Sequence, residues 1–271
     1  MGEQHAAFTG SVPENYDLYL GPTLFEPYAR DLASRLEVGE GASVLELACG
    51  TGVLTRILRD RLPRGAHLTA TDLNEAMMAS AARKFGAEDP VSWRQADMTG
   101  LPFGDELFDA AVCQFGFMFV PDKARAFGEA YRVLKPGGSL AFTVWDAIER
   151  NDLAHAAHTT VSKFFESDPP TFYQVPYSLH DPEALRALAE GAGFREVEVT
   201  PLALESVSPS AEEAARGLVE GTPVIGALRE RGSADVEEIK RAVAEAIAAR
   251  CGDRPVRGRM RAYVCTARRP A

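Results

Sequence analysis

Three carboxylates, Glu46, Asp72 and Asp97, stand at or near the ends of three successive short runs of strand character. The first run, Val44 to Ala48, is apolar except for Glu46 and reads as a buried strand. Cys49-Gly50-Thr51-Gly52 then imposes a tight turn, and Val53 opens a helix with Leu54, Ile57, Leu58 and Leu62 at helical spacing. That succession carries backbone N–H groups and a helix N-terminus to the strand's C-terminal edge, where open α/β sheets bind ligands. An acid inside the strand suits a positively charged ligand end and repels a pyrophosphate. Asp72 ends the second run, His67 to Thr71, where a carboxylate about twenty positions past the turn can hold a ribose diol, with Leu73 beside it to cover a base. The competing role for Asp72 is a helix N-cap, a place equally open to Asn74.

Two ligand classes compete for the glycine turn. A dinucleotide loop has the form G-x-G-x-x-G, and here no third glycine follows Gly50 and Gly52. S-adenosylmethionine, with a sulfonium and an ammonium next to a nucleoside, fits a turn with a carboxylate in its strand. The run Glu46-Leu-Ala48-Cys49-Gly50-Thr51-Gly52 resembles the first motif of class I S-adenosylmethionine-dependent methyltransferases. The motifs downstream resemble those of the ubiquinone/menaquinone-biosynthesis type. The resemblance spans roughly Tyr16 to Val144 and thins beyond it.

The resemblance implies a doubly wound, Rossmann-like seven-stranded sheet, mostly parallel, with its last strand antiparallel and helical lid insertions. It implies S-adenosylmethionine as cofactor and a cofactor set of Tyr16, Glu46, Ala48, Cys49, Gly50, Thr51, Gly52, Asp72, Leu73, Met77, Asp97, Met98, Gln114 and Phe115. Asp97 would accept a hydrogen bond from the adenine amino group and the Met98 N–H would meet a ring nitrogen, in keeping with the donor that adenine offers. The Gln114 carbonyl would receive the methionine ammonium. Tyr16, next to Asp17, is a lid residue in this family, and an aromatic anchoring a helix to the sheet is the alternative. Leu134-Lys-Pro-Gly-Gly138 is a further hallmark, structural in kind, and predicts a helix stop before a fifth strand over Ser139 to Val144.

The elements around these residues give six segments: 1–40, cofactor-covering helices behind a mobile leader over Met1 to Gly10; 41–146, the cofactor-binding core; 147–193, a lid insertion and helix; 194–205, a core strand over Phe194 to Val199; 206–257, a helical lid or dimer surface; and 258–271, the last strand and tail. Phe117, Met118, Phe172, Tyr173 and Tyr177 are the substrate-pocket candidates, although aromatic and methionine runs such as Phe115 to Phe119 also serve as plain core. Phe164, Phe165, Phe172, Tyr173 and Tyr177, broken by prolines, make a poor single helix and need a partner to bury them. No residue declares itself as a general base, since His155, His158 and His180 lack partners of the right spacing, and no metal set is present.

The bulk numbers narrow the partners. The chain has 271 residues and a formal net charge of −10, which disfavours a nucleic-acid partner. Its four cysteines, Cys49, Cys113, Cys251 and Cys265, follow no metal or disulfide spacing, and no apolar run reaches membrane-spanning length. A cytoplasmic enzyme without membrane or nucleic-acid partners, taking a small-molecule methyl acceptor and open to homodimerisation, is the expectation. The expected reaction moves a methyl group from S-adenosylmethionine to an oxygen, nitrogen or carbon of a small, largely apolar metabolite. The alternatives are a non-methylating or regulatory S-adenosylmethionine-binding protein and, less favoured, an NAD-dependent oxidoreductase.

Overall fold

The computed structural model describes residues 8–231 and 235–271, so most of the expected leader, residues 1–7, lies outside the described residues. Seven strands form one sheet in the order β3-β2-β1-β4-β5-β7-β6. They are β1 (Ser43–Leu47), β2 (His67–Asp72), β3 (Ser92–Gln95), β4 (Phe108–Gln114), β5 (Leu134–Trp145), β6 (Arg195–Ser208) and β7 (Val256–Arg268). The first five pair in parallel, and β7 runs antiparallel to both β5 and β6. Val44, Leu45 and Leu47 of β1 are all fully buried, as expected of a central parallel strand covered on both faces. One face packs Val44, Leu68 and Val112 under Leu32, Leu54 and Leu58 of helices α2 (Glu26–Ser34) and α3 (Val53–Arg61). The other packs Leu45, Leu47, Phe108 and Ala111 with Phe127, Ala130 and Val133 of α5 (Lys123–Val133).

Polar residues set the helix starts. The Asn74 side chain accepts from the Met77 N–H at the start of α4 (Glu75–Ala82), so Asn74 and not Asp72 is the cap. Asp122, Asp181, Ser210 and Asp235 do the same for α5, α7 (Pro182–Gly191), α8 (Ala211–Glu220) and α10 (Val236–Cys251).

Several boundaries differ from the sequence reading. Helix α5 runs directly into β5, which starts at Leu134 and not Ser139, with a register break between Phe108 and Ala110 absorbing the Pro-Gly-Gly. Strand β6 continues past Val199 to Ser208 and carries Pro201 in its interior. It tolerates this proline because it is an edge strand, where one unpaired N–H side faces outward. The segment expected to be helical from 206 therefore begins as strand. Between α1 (Val12–Asn15) and α2, Tyr16–Phe25 forms wide π-type turns with Pro22 inside, a geometry that periodicity does not signal.

Beyond β5, α6 (Asp152–Ser162), α8 and α10 pack on one another, and α8 also rests on the 16–25 segment. The buried Asp152 carboxylate binds the Arg250 and Arg259 guanidiniums and the Arg259 N–H, joining α6 to α10 and β7.

Candidate functional site

At the C-terminal edge of the sheet, β1 and β4 lie side by side where the strand order reverses, and a cleft of about 820 Å³ opens there. The turn after β1 is built from left-handed residues: Ala48 (φ 54°), Gly50 (φ 55°) and Gly52 (φ 83°). The Cys49 N–H donates to the Thr71 carbonyl at 2.9 Å, and the Thr71 hydroxyl donates to the Glu46 carbonyl at 2.9 Å. Asp72 is the keystone of this turn. One of its oxygens accepts from the Gly50 N–H and the other from the Asn74 N–H, each at 2.8 Å. Burial raises its carboxyl above the ordinary value, while these N–H groups pull it back.

Glu46 is 1% exposed, and its Oε2 has no hydrogen-bond partner among the described residues. Burial, with the neighbouring Asp72 charge adding, pushes its carboxyl up to about 8. An unpaired carboxyl oxygen under a glycine turn fits a cationic ligand group. Tyr16, Glu46, Ala48, Cys49, Gly50, Thr51 and Gln114 all border a small hollow of about 30 Å³ at this point.

Of the sequence candidates, Tyr16, Ala48, Gly50, Asp72, Leu73, Met77, Asp97, Met98, Gln114 and Phe115 line the main cleft together. Leu73 is 56% exposed at the rim, an apolar side chain left for a flat group to cover. Asp97 accepts from the Thr99 N–H at 2.7 Å and the Thr99 hydroxyl at 2.8 Å. The Gln114 side chain donates to the Phe25 carbonyl at 2.8 Å, which ties one of its N–H groups to the N-terminal segment. Cys49 and Thr51 border the small hollow only. Gly52 borders neither space: it opens α3, and a Cβ there would stand 2.9 Å from the Ala81 Cβ of α4. Its glycine is required by helix packing.

The substrate-pocket candidates separate as well. Phe117 is fully buried, stacked on Phe127 at 4.3 Å and edge-on to Phe142 at 5.3 Å, so it belongs to the core and lines none of these spaces. Met118, Phe172, Tyr173 and Tyr177 line a second, apolar cavity of about 70 Å³, the inner cavity, which adjoins the cleft. Phe8, Tyr16, Phe115 and Phe119 line both spaces and form the wall between them. His67, His155, His158 and His180 line neither.

Sequence reasoning missed Phe8, Gly116, Trp145 and Lys84. Gly116 has a local signal, a glycine just past a strand, and a Cβ there would meet Ala48 Cβ at 2.6 Å and Cys113 Sγ at 2.7 Å. Trp145 ends β5 and stacks on Phe115 at 4.0 Å. Lys84 donates to the Thr51 carbonyl at 2.8 Å and pairs with Asp17, tying the N-terminal segment to the turn.

Comparison with known proteins identifies the family. Residues 45–142 match the methyltransferase-domain family Methyltransf_11. The chain is 32% identical over 206 residues to the ubiquinone/menaquinone biosynthesis C-methyltransferase UbiE of Proteus mirabilis, covering 70% of this chain and 82% of that one. It is likewise 32% identical to the demethylmenaquinone methyltransferase of Clavibacter sepedonicus, covering 58% and 67% of the two chains. In fold it is similar to phosphoethanolamine N-methyltransferase 2 of Haemonchus contortus in complex with S-adenosyl-L-methionine, with a TM-score of 0.62, 16% identity and coverage of 97% and 58%. The protein is an S-adenosylmethionine-dependent methyltransferase, and neither NAD chemistry nor a non-methylating role is favoured. No helix among the described residues is long and apolar enough to cross a membrane. The chain belongs to the class I S-adenosylmethionine-dependent methyltransferases of the ubiquinone/menaquinone-biosynthesis type.

Proposed function

We propose that the enzyme methylates a ring carbon of a quinone-type acceptor taken in its reduced, hydroquinone form. The observation that carries this reading is the aromatic wall of Phe8, Tyr16, Phe115 and Phe119 between cleft and inner cavity, which suits a flat ring. The names of the relatives from Proteus mirabilis and Clavibacter sepedonicus support it.

S-adenosylmethionine, when bound, supplies the electrophilic methyl group. Asp72 would hold the ribose diol, since each of its oxygens keeps a second lone pair beyond its backbone bond. Leu73, Met77, Met98 and Asp97 would hold the adenine, and the Glu46 carboxyl and Gln114 carbonyl the cationic methionine end. Burial raises the Tyr16 phenol above its ordinary range, helped by Asp72 and Asp17, so Tyr16 stays neutral and serves as a donor and wall, not a base. The remaining contribution is exclusion of water and alignment of the ring with the methyl group.

Segments 147–193 and 206–257 would serve as the cap over the acceptor. Homodimerisation through the 206–257 helices is a further possibility that light scattering would decide. The four unpaired cysteines support a reducing, cytoplasmic setting.

The deciding experiment incubates the enzyme with methyl-labelled S-adenosylmethionine and chemically reduced 1,4-naphthoquinone, followed by mass analysis. A product methylated on ring carbon is expected. A product methylated only on oxygen, or none from any quinol tried, would overturn the reading.

A further inference from the structure

Three tyrosines, Tyr16, Tyr173 and Tyr177, line the inner cavity, and their hydroxyls, like that of the neighbouring core residue Tyr28, differ. Tyr28 donates to the Leu202 carbonyl at 3.1 Å and Tyr173 to the Leu218 carbonyl at 2.9 Å, so both are committed to the fold. Tyr16 belongs to the cofactor side already described. Tyr177 is 8% exposed, lines the inner cavity, and has no hydrogen-bond partner for its hydroxyl among the described residues. Its position is nonetheless fixed. The His180 ring Nδ1 lies 2.6 Å from the Tyr177 backbone carbonyl, and the Tyr177 ring lies against Trp145 with centroids 6.1 Å apart. The hydroxyl is not sealed in the core: its oxygen keeps some accessible surface, and it is free to meet a ligand group there.

The rest of the cavity is mostly apolar, and none of its polar groups is hydrogen-bonded to Tyr177. Its walls include Leu20, Leu24, Met118, Trp145, Phe172 and Leu218, and the hydroxyls of Tyr173 and Thr222 both donate to the Leu218 carbonyl. We infer that the Tyr177 hydroxyl is a specificity-determining group that donates a hydrogen bond to an oxygen carried on the acceptor's ring. This rests on the reading of the acceptor as an oxygenated ring. The inner cavity, at about 70 Å³, is too small to hold a bicyclic ring entire. The oxygen-bearing edge therefore enters it past the shared wall of Phe8, Tyr16, Phe115 and Phe119, and the carbon to be methylated stays in the cleft with the cofactor. A phenol donor in an apolar box selects against rings that lack the oxygen, because such a ring leaves the donor unpaired.

The test is binding to the enzyme saturated with S-adenosylhomocysteine, by calorimetry, using 1-naphthol and naphthalene as probes. Wild type should prefer 1-naphthol by about tenfold, the size of one net hydrogen bond. Tyr177→Phe should lose that preference, keep its affinity for S-adenosylhomocysteine, and melt no lower than wild type, since it removes an unpaired group. Tyr173→Phe removes a bonded hydroxyl and should melt lower, which separates a structural phenol from a ligand-facing one. An equal preference in wild type and Tyr177→Phe, no preference in wild type, or a lower melting temperature for Tyr177→Phe would each overturn the inference. The acceptor reading fails separately: naphthohydroquinone left unmethylated by an enzyme that still prefers 1-naphthol through Tyr177 refutes the quinol and leaves the tyrosine's role standing.

Discussion

The cleft and the cavity adjoining it are built on opposite plans. The cleft is a backbone device: left-handed residues at the ends of β1 and β4, Ala48 and Phe115, together with Gly50, turn the chain at the sheet edge, and Asp72 fixes the turn through two N–H groups. Gly116 lets those two strand ends close to within contact distance. The inner cavity is a side-chain device, with walls drawn from Phe8 to Phe25, Phe115 to Phe119, Trp145 to Tyr177, and α8. A backbone device tolerates few substitutions and recognises one ligand. A side-chain device can be re-cut for different acceptors without disturbing the sheet.

If the two plans are separable, variants should fail in different measurements. The largest effect belongs to Phe172→Ala, which removes a buried ring from the cavity wall and should lower stability by about 3 kcal/mol. S-adenosylhomocysteine affinity should survive while acceptor turnover is lost or redirected, and unchanged turnover would erase the distinction. Next, Asp72→Ala should weaken S-adenosylhomocysteine binding by about 1.5–3 kcal/mol, as for a hydrogen bond to a charged group. Because Asp72 also holds Gly50 and Asn74, its melting temperature should drop as well, measured by calorimetry without ligand.

Glu46→Gln sharpens the comparison by pH. With its carboxyl at about 8 against an ordinary 4.5, Glu46 keeps a proton in the folded state that the unfolded chain gives up between those values. Wild-type stability should therefore fall as pH rises from about 4.5 to about 8 and level off above it, through this group alone. Glu46→Gln should remove that slope, leaving the protein more stable at pH 8 by about 1–3 kcal/mol while binding S-adenosylhomocysteine less tightly. A slope unchanged in the variant would show that the carboxyl is not the group titrating.

The smallest effect lies in the cap. Burial works against the Asp152 charge, but Arg259 and Arg250 outweigh it and hold the carboxyl well below its ordinary range. Its contribution should be complete above about pH 4, the unfolded value, and disappear as pH falls further. Asp152→Asn should lower melting temperature modestly at pH 7, and the difference from wild type should shrink in acid.

The same contrast explains what was legible in the sequence. Glu46, Gly50, Asp72 and Asp97 announce themselves because a strand, a turn and a helix in direct succession form the site locally. The apolar spacing of Leu54 and Leu58 likewise marks a helix before any tertiary contact exists. Phe117 carried no sign separating it from its neighbours, since an aromatic run looks alike whether it faces Phe127 or a ligand. Strand β6 looked short because Pro201 ends most strands, and only its edge position permits the extension to Ser208. Phe8 gained its meaning from Phe119 and Phe172, more than a hundred residues away in the chain. Lys84 meets the turn only because α4 folds back beside it.

One contact joins the N-terminal segment to the helices beyond β5. Gly217 and Gly221 of α8 and its end lie so close to Tyr19, Leu20 and the Tyr16 backbone that added Cβ atoms would stand 2.8 Å and 3.0 Å from them. The 16–25 segment and α8 are thus packed closely, with no side chain on the α8 glycines to hold them apart. If these two segments cover cofactor and acceptor as proposed, cofactor exchange and acceptor entry would share one gate. In hydrogen-exchange measurements, amides over 16–25 and 211–220 should open with one common free energy, and S-adenosylhomocysteine should slow both alike.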